Sequence, residues 1–140
     1  MLAPLEVTLH HIGSTAVPGL LAKPVIDMLM VVGSIATLDA NAAALERLGY
    51  QAKGENGVTG RRYFVQRGED GARRFHLHAF AEGAPQIAAH LAFRDRLRAN
   101  PALADDYAML KGAILADGAP TRADYEAAKA GFITRVIALP

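Results

Sequence analysis

The feature that most constrains this chain is one carboxylate inside an apolar strand. Residues 24–32 read Pro-Val-Ile-Asp-Met-Leu-Met-Val-Val, and Asp27 carries the only charge among them. Burying a charge is costly unless a partner meets it. A fold that buries this strand must therefore bring partners to Asp27. Side chains two apart share a strand face, so Asp27 lies with Val25, Leu29 and Val31.

The segment before it points to a ligand-binding turn. Residues 5–12 alternate and carry β-branched side chains, as a strand does. Gly13 and Ser14 follow, then Thr15 and a turn at Pro18-Gly19. A glycine lets backbone approach a ligand, and free amides at a helix start attract phosphate. Ser14 and Thr15 add hydroxyl donors. A strand-ending turn with a capping serine accounts for the same residues. The plainer alternative is that Lys23, a nearby arginine or a backbone amide satisfies Asp27.

His76 and His78 share a face in the strand Phe75-His76-Leu77-His78-Ala79-Phe80. Two imidazoles on one face can bind a metal, hold a phosphate or serve as acid and base. An exposed strand face is the plainer account. Asp27 is their third partner if the two strands are neighbours. His10 and His11 are adjacent and point to opposite faces, so at most one reaches such a site. Arg61, Arg62, Arg67, Arg73 and Arg74 cluster on a hairpin, opposed nearby only by Glu69 and Asp70. Arginine suits phosphate, and a solvated face suits the same run. Lys111 and Lys129 each follow a tyrosine by four residues, which places each pair on one helix face. Lys129 borders an apolar stripe, where it either enters a pocket or snorkels to water.

The remaining pattern predicts a helix from Ser34 or Thr37 through Leu48, with Leu38, Leu45 and Leu48 on one face. A short strand at 50–52 follows, and then a Gly- and Asn-rich loop at 53–60. The strands 62–66 and 73–80 are joined by the turn Gly-Glu-Asp-Gly at 68–71. The last third reads as helices. One starts at Pro85, one is capped by Asn100 before Pro101, and a final one is capped by Thr121 with Asp124. Gly118 and Pro120 separate the last two. Strands first and helices last predict an α+β fold: a small mixed or antiparallel sheet with helices packed on it.

A length of 140 residues is enough for one domain with a real core. The absence of cysteine excludes disulfides, thiolate metal sites and cysteine nucleophiles. A net charge of +1 implies no broad pull toward nucleic acid or membrane. No secretory signal or membrane-length apolar run is read, so a cytoplasmic setting is the expectation.

The segments His11-Ile-Gly-Ser-Thr-Ala-Val-Pro-Gly-Leu20 and Ala22-Lys-Pro-Val-Ile-Asp27 resemble the signature of the GrpB family. So do Gly60-Arg-Arg-Tyr-Phe64, His76-Leu-His78, His90-Leu-Ala-Phe-Arg-Asp95 with Leu97-Arg98, and Tyr125-Glu-Ala-Ala-Lys129 through Phe132-Ile133. The likeness spans nearly the whole chain. It implies the nucleotidyltransferase superfamily, with a minimal polymerase-beta-like core. Relatives are fused to dephospho-CoA kinase in some bacteria, and stand-alone members largely lack an established activity. In that superfamily a Gly-Ser opens a helix that holds nucleotide phosphates. An acid-x-acid strand and a third acid on a later strand then hold metal. Gly13, Ser14 and Asp27 match the first parts. Leu29 departs from the acid-x-acid pattern, and His76 and His78 stand where a later acid would. Family members also carry a helix before the first strand. Its absence here implies a late start or a trimmed chain, with self-association or lowered stability as the consequence.

Together these readings lead to a nucleotidyltransferase-fold protein that binds a nucleotide or another phosphorylated small molecule. Gly13, Ser14, Thr15, Lys23, Arg62 and Lys129 would hold phosphate. Asp27 and His78 would hold a divalent ion, Mg²⁺ or Mn²⁺. Asp27, His76 and His78 would carry any nucleotidyl transfer. The alternative is a non-catalytic ligand- or partner-binding domain, which Leu29 favours. A metal-dependent hydrolase using the histidines is a third reading.

Overall fold

The computed structural model describes residues 6–13, 16–17, 25–116 and 122–138, with positions 112, 114–116 and 122–128 described by backbone alone. The first strand, β1 (Val7–Ile12), is followed by β2 (Ile26–Val32). Two short helices come next, α1 (Ile35–Ala40) and α2 (Ala42–Arg47), and then β3 (Tyr50–Ala52), β4 (Arg62–Arg67) and β5 (Arg73–Ala81). The helices α3 (Pro85–Ala99), α4 (Pro101–Ala116) and α5 (Arg122–Ile137) complete the order.

These strands form one five-stranded sheet in the order β1-β2-β5-β4-β3. β1 and β2 are antiparallel, as are β5 with β4 and β4 with β3, while β2 and β5 run parallel. The α+β class is as the sequence predicts, and of its two sheet alternatives the mixed one is found. The parallel pair is central, so β2 is flanked on both sides, and Leu29, Met30 and Val32 of its apolar run are buried.

Each sheet face has its own core. Met30, Val32, Phe64, Leu77 and Ala79 pack with Leu38 of α1 and Leu45 of α2. On the opposite face Ile12, Leu29 and Phe80 pack with Val31, Ile87 and Leu91, the last two from α3. A third cluster joins Leu97 of α3, Ala104 and Tyr107 of α4 and Phe132 of α5, where the Tyr107 and Phe132 rings stack at 5.5 Å.

Local signals account for the element ends. The Ser34 hydroxyl accepts from the Thr37 amide at 3.1 Å and starts α1. Asn100 Oδ1 accepts from the Ala102 and Leu103 amides and starts α4. The single helix expected through Leu48 is divided at Asn41, whose side-chain amide donates to the Thr37 carbonyl at 2.7 Å. An asparagine side chain that competes for backbone partners interrupts a helix in this way. Leu48, expected on the buried stripe, is 66% exposed because the helix has ended there. Thr121 of the proposed cap, the break at Gly118 and Pro120, and the turn at Pro18 and Gly19 lie outside the described residues, and Asp124 is described by its backbone in α5 alone.

Leu29→Ala should test the face that carries the site. Leu29 is fully buried against Ile12 and Phe80. Its truncation is expected to lower unfolding free energy by about 2–5 kcal/mol, read as a shifted urea midpoint. Leu48→Ala should leave the unfolding free energy within about 0.5 kcal/mol of wild type.

Candidate functional site

Strand register brings the polar residues together. Asp27 on β2 pairs with His76 on the parallel strand β5, and Leu29 pairs with His78. Tyr63 on β4 pairs with His78, and Val65 with His76. Alternation puts Asp27, His76, His78 and Tyr63 on the sheet face that α3 covers. The Asp27 and His residues are not fully sealed. Side-chain exposure is 29% for Asp27, 13% for His76 and 15% for His78.

One carboxylate oxygen holds both imidazoles. His76 Nδ1 and His78 Nε2 each lie 3.1 Å from Asp27 Oδ1. An ionised carboxylate only accepts, so each of those ring nitrogens donates a proton to it. A guanidinium nitrogen of Arg61 donates to His78 Nδ1 at 3.3 Å. His78 therefore carries its proton on Nε2. His76 is oriented through Nδ1, and its Nε2 is buried without a hydrogen-bond partner among the described residues. The Tyr63 hydroxyl is buried in the same condition.

Opposing influences set the charge of Asp27. Burial raises its carboxyl pKa and is the largest single effect. The hydrogen bonds from His76 and His78, with the electrostatic attraction of those rings, outweigh it and hold Asp27 well below the usual carboxylate range. His90 on α3 stands over His78, with ring centroids 5.9 Å apart. Burial, helped by His78 and Arg61 and opposed by Asp27, pushes the His90 imidazole down to about 4.

Gly13 closes the site at the end of β1. Its φ is +76°, and a Cβ there would come within 2.8 Å of Asp27 Oδ2. The residue must be glycine both for its backbone angle and for its approach to the carboxylate. Ser14, Thr15 and Lys23 lie outside the described residues.

Arg62 corrects the expectation drawn from the sequence. It sits on the opposite sheet face, beside Ala79 in register, and forms a two-point pair with Asp39 at 2.8 and 3.1 Å. Its neighbour Arg61 takes the place by the histidines. Arg61 is anchored by its bonds to the Glu55 and Asn56 carbonyls, and its guanidinium lies 4.8 Å from the Tyr63 ring centroid. Lys129 is half-buried on α5, whose main packing is against α3 and α4. His10 shares the site's face but pairs with Leu29, one strand away from His78.

Asp27, His76 and His78 also form a donor set for a metal ion, with one ligand atom from each within 4.8 Å of the others. Two imidazoles and one carboxylate suit a divalent transition ion better than Mg²⁺, which prefers oxygen. A separate open groove of about 450 Å³ lies between α4 and α5, lined by Leu103, Asp106, Phe132 and Arg135 among others. None of the Asp27 cluster lines it.

Comparison with known proteins gives a consistent picture. A family model described as GrpB protein matches residues 1–138. YqkA of Bacillus subtilis is 47% identical over 108 residues, 77% of this chain and 31% of its own length. A Streptomyces coelicolor protein is 34% identical over 134 residues, covering 94% of this chain and 67% of its own length. The glutamate-rich protein GrpB of Alkalihalophilus pseudofirmus is 31% identical over 106 residues, 74% of this chain and 61% of that one. The chain thus spans about a third to two thirds of the length of these curated relatives. The crystal structure of conserved protein GrpB from Enterococcus faecalis superposes with a TM-score of 0.80 at 39% identity, covering 93% of this chain and 77% of that one.

Two substitutions test the site's construction. Gly13→Ala should cost more stability than Gly54→Ala. Both positions have positive φ, but only Gly13 faces a crowding atom. The backbone term is about 1–2 kcal/mol in each, and the excess at Gly13, read in urea melts, measures contact with Asp27. For His90, an unfolded chain takes up a proton below 6.5 that the folded one refuses until about 4. Wild-type stability should therefore fall by on the order of 3 kcal/mol as pH drops through that window. His90→Gln should flatten this fall, seen by comparing melts at the two ends of the window.

Proposed function

The chain belongs to the GrpB family, and we propose that it binds a phosphorylated small molecule, a nucleotide in the first instance, over the Asp27–His76–His78 centre. The observation that carries this reading is Asp27 itself. A carboxylate in a central strand is held by two imidazoles at 3.1 Å, beside Arg61 and under a close-approach glycine. Arg61 supplies a guanidinium charge beside the centre, the group that suits phosphate oxygens. Gly13 lets the backbone pack closely on the same carboxylate. The polymerase-beta-like nucleotidyltransferase core is the scaffold on which this arrangement is read.

Binding is favoured over polymerase-type transfer. Two-metal chemistry needs acidic ligands that hold the ions about 3.5–4 Å apart. The position two residues after Asp27 on the same face is Leu29, and it is fully buried in the α3-side core. Histidines stand where a later strand would bring a further acid. A ligand-binding protein, with any chemistry resting on Asp27 and the two imidazoles as acid and base, fits these residues.

Isothermal titration with ATP, CTP, GTP, UTP and inorganic triphosphate, in EDTA and again with Mn²⁺, tests the reading. At least one is expected to bind, and Arg61→Gln should weaken it by about 10–100-fold, as loss of charge-assisted hydrogen bonds does. No binding at millimolar ligand in either condition overturns the reading. Robust Mg²⁺-dependent nucleotidyl transfer that is lost in Asp27→Ala would show that a second acid comes from elsewhere.

A further inference from the structure

We propose that Asp27, His76 and His78 form a resident site for one divalent transition ion, with Arg61 as the group that competes with it. Two of the three donor pairs are already spaced as ligands. Around an ion with bonds of about 2.0–2.1 Å, adjacent donors lie about 2.9 Å apart in octahedral and about 3.3 Å apart in tetrahedral geometry. His76 Nδ1 and His78 Nε2 both stand 3.1 Å from Asp27 Oδ1. The parallel register of β2 and β5 sets this spacing, and the three ligand atoms all lie within 4.8 Å of one another.

The donor chemistry selects the ion. Two imidazole nitrogens and one carboxylate oxygen match Mn²⁺, Fe²⁺, Co²⁺ or Zn²⁺. Three protein ligands leave positions open. In the reading proposed above, on which this part alone rests, an anionic oxygen of the ligand fills one of them.

Hydrogen bonding shows what loading must change. Without an ion, both ring nitrogens that face Asp27 carry protons. A nitrogen that ligates a metal must present its lone pair, so each ring proton moves to the other nitrogen. For His76 that nitrogen is the buried Nε2, which has no hydrogen-bond partner among the described residues. For His78 it is Nδ1, which accepts from Arg61. A protonated Nδ1 and a guanidinium N–H are both donors, and the guanidinium charge also repels the ion. The Arg61–His78 bond must therefore break when the ion enters, while the bonds of Arg61 to the Glu55 and Asn56 carbonyls keep its charge beside the site. The same residue that competes with the ion then lies beside the site to meet an anion on the loaded form.

Co²⁺ titration of the metal-free protein, without nucleotide, tests the site by its visible d–d absorption. Circular dichroism and melting curves should establish that each variant is folded. Wild type should saturate at one ion per chain. His76→Gln and His78→Gln should each raise the dissociation constant at least about tenfold. Asp27→Asn should do the same. Arg61→Met removes the competing donor and should tighten binding several-fold. Zn²⁺ should displace Co²⁺, Mn²⁺ should do so only in large excess, and Mg²⁺ should not. The proposal is overturned by absence of a d–d spectrum at millimolar Co²⁺, by spectra unchanged in both histidine variants, or by weaker binding in Arg61→Met. Because no nucleotide is present, failure here leaves the phosphate-binding reading standing, and success here does not establish it.

Discussion

An ionised carboxylate inside an apolar sheet has to be paid for, and here the pairing of Asp27 with two imidazoles does so. Each hydrogen bond to a charged group contributes about 1.5–3 kcal/mol when its partners are held in place. The two that meet on Asp27 Oδ1 come from one strand, at positions two residues apart. They also fix register. Sliding β2 against β5 by one residue would move Asp27 to the face of Leu77 and Phe64, where the surroundings are hydrocarbon. The correct pairing is then favoured by both the core and the charge. The central parallel pair, the two cores and the site at their margin all follow from it.

Much of this was legible in the chain because strand alternation is simple. The unusual Asp27 and the paired histidines could be found by position alone. Their grouping depended on β2 lying beside β5, which a resemblance implies but periodicity cannot state. Helix ends carried by a single side chain, such as the caps at Ser34 and Asn100, were readable. Asn41 was not, because its competition with the backbone interrupts an otherwise helical pattern.

The arginines mark the boundary of such reading more sharply. Arg61 and Arg62 are neighbours in an arginine-rich hairpin, and phosphate chemistry suits either. Arg62 falls on the far face with Asp39, and Arg61 sits just ahead of β4 beside His78. A difference of one position decides which can serve the site. Tyr63 and His90 were missed for a related reason. Their motifs were noticed, but only cross-strand register and the docking of α3 place those rings against His78. Gly13 shows the converse. A glycine after a strand is ordinary, and its need is visible only in the 2.8 Å that a Cβ would leave to Asp27.

The central claim is that a single carboxylate orients two imidazoles through different ring nitrogens. Nitrogen-15 NMR of histidine side chains in metal-free protein, with Asp27→Asn for comparison, measures this directly. The account predicts a proton on Nδ1 of His76 and on Nε2 of His78, with both resonances displaced in the variant. Both rings protonated on the same type of nitrogen, with signals indifferent to Asp27→Asn, would contradict it.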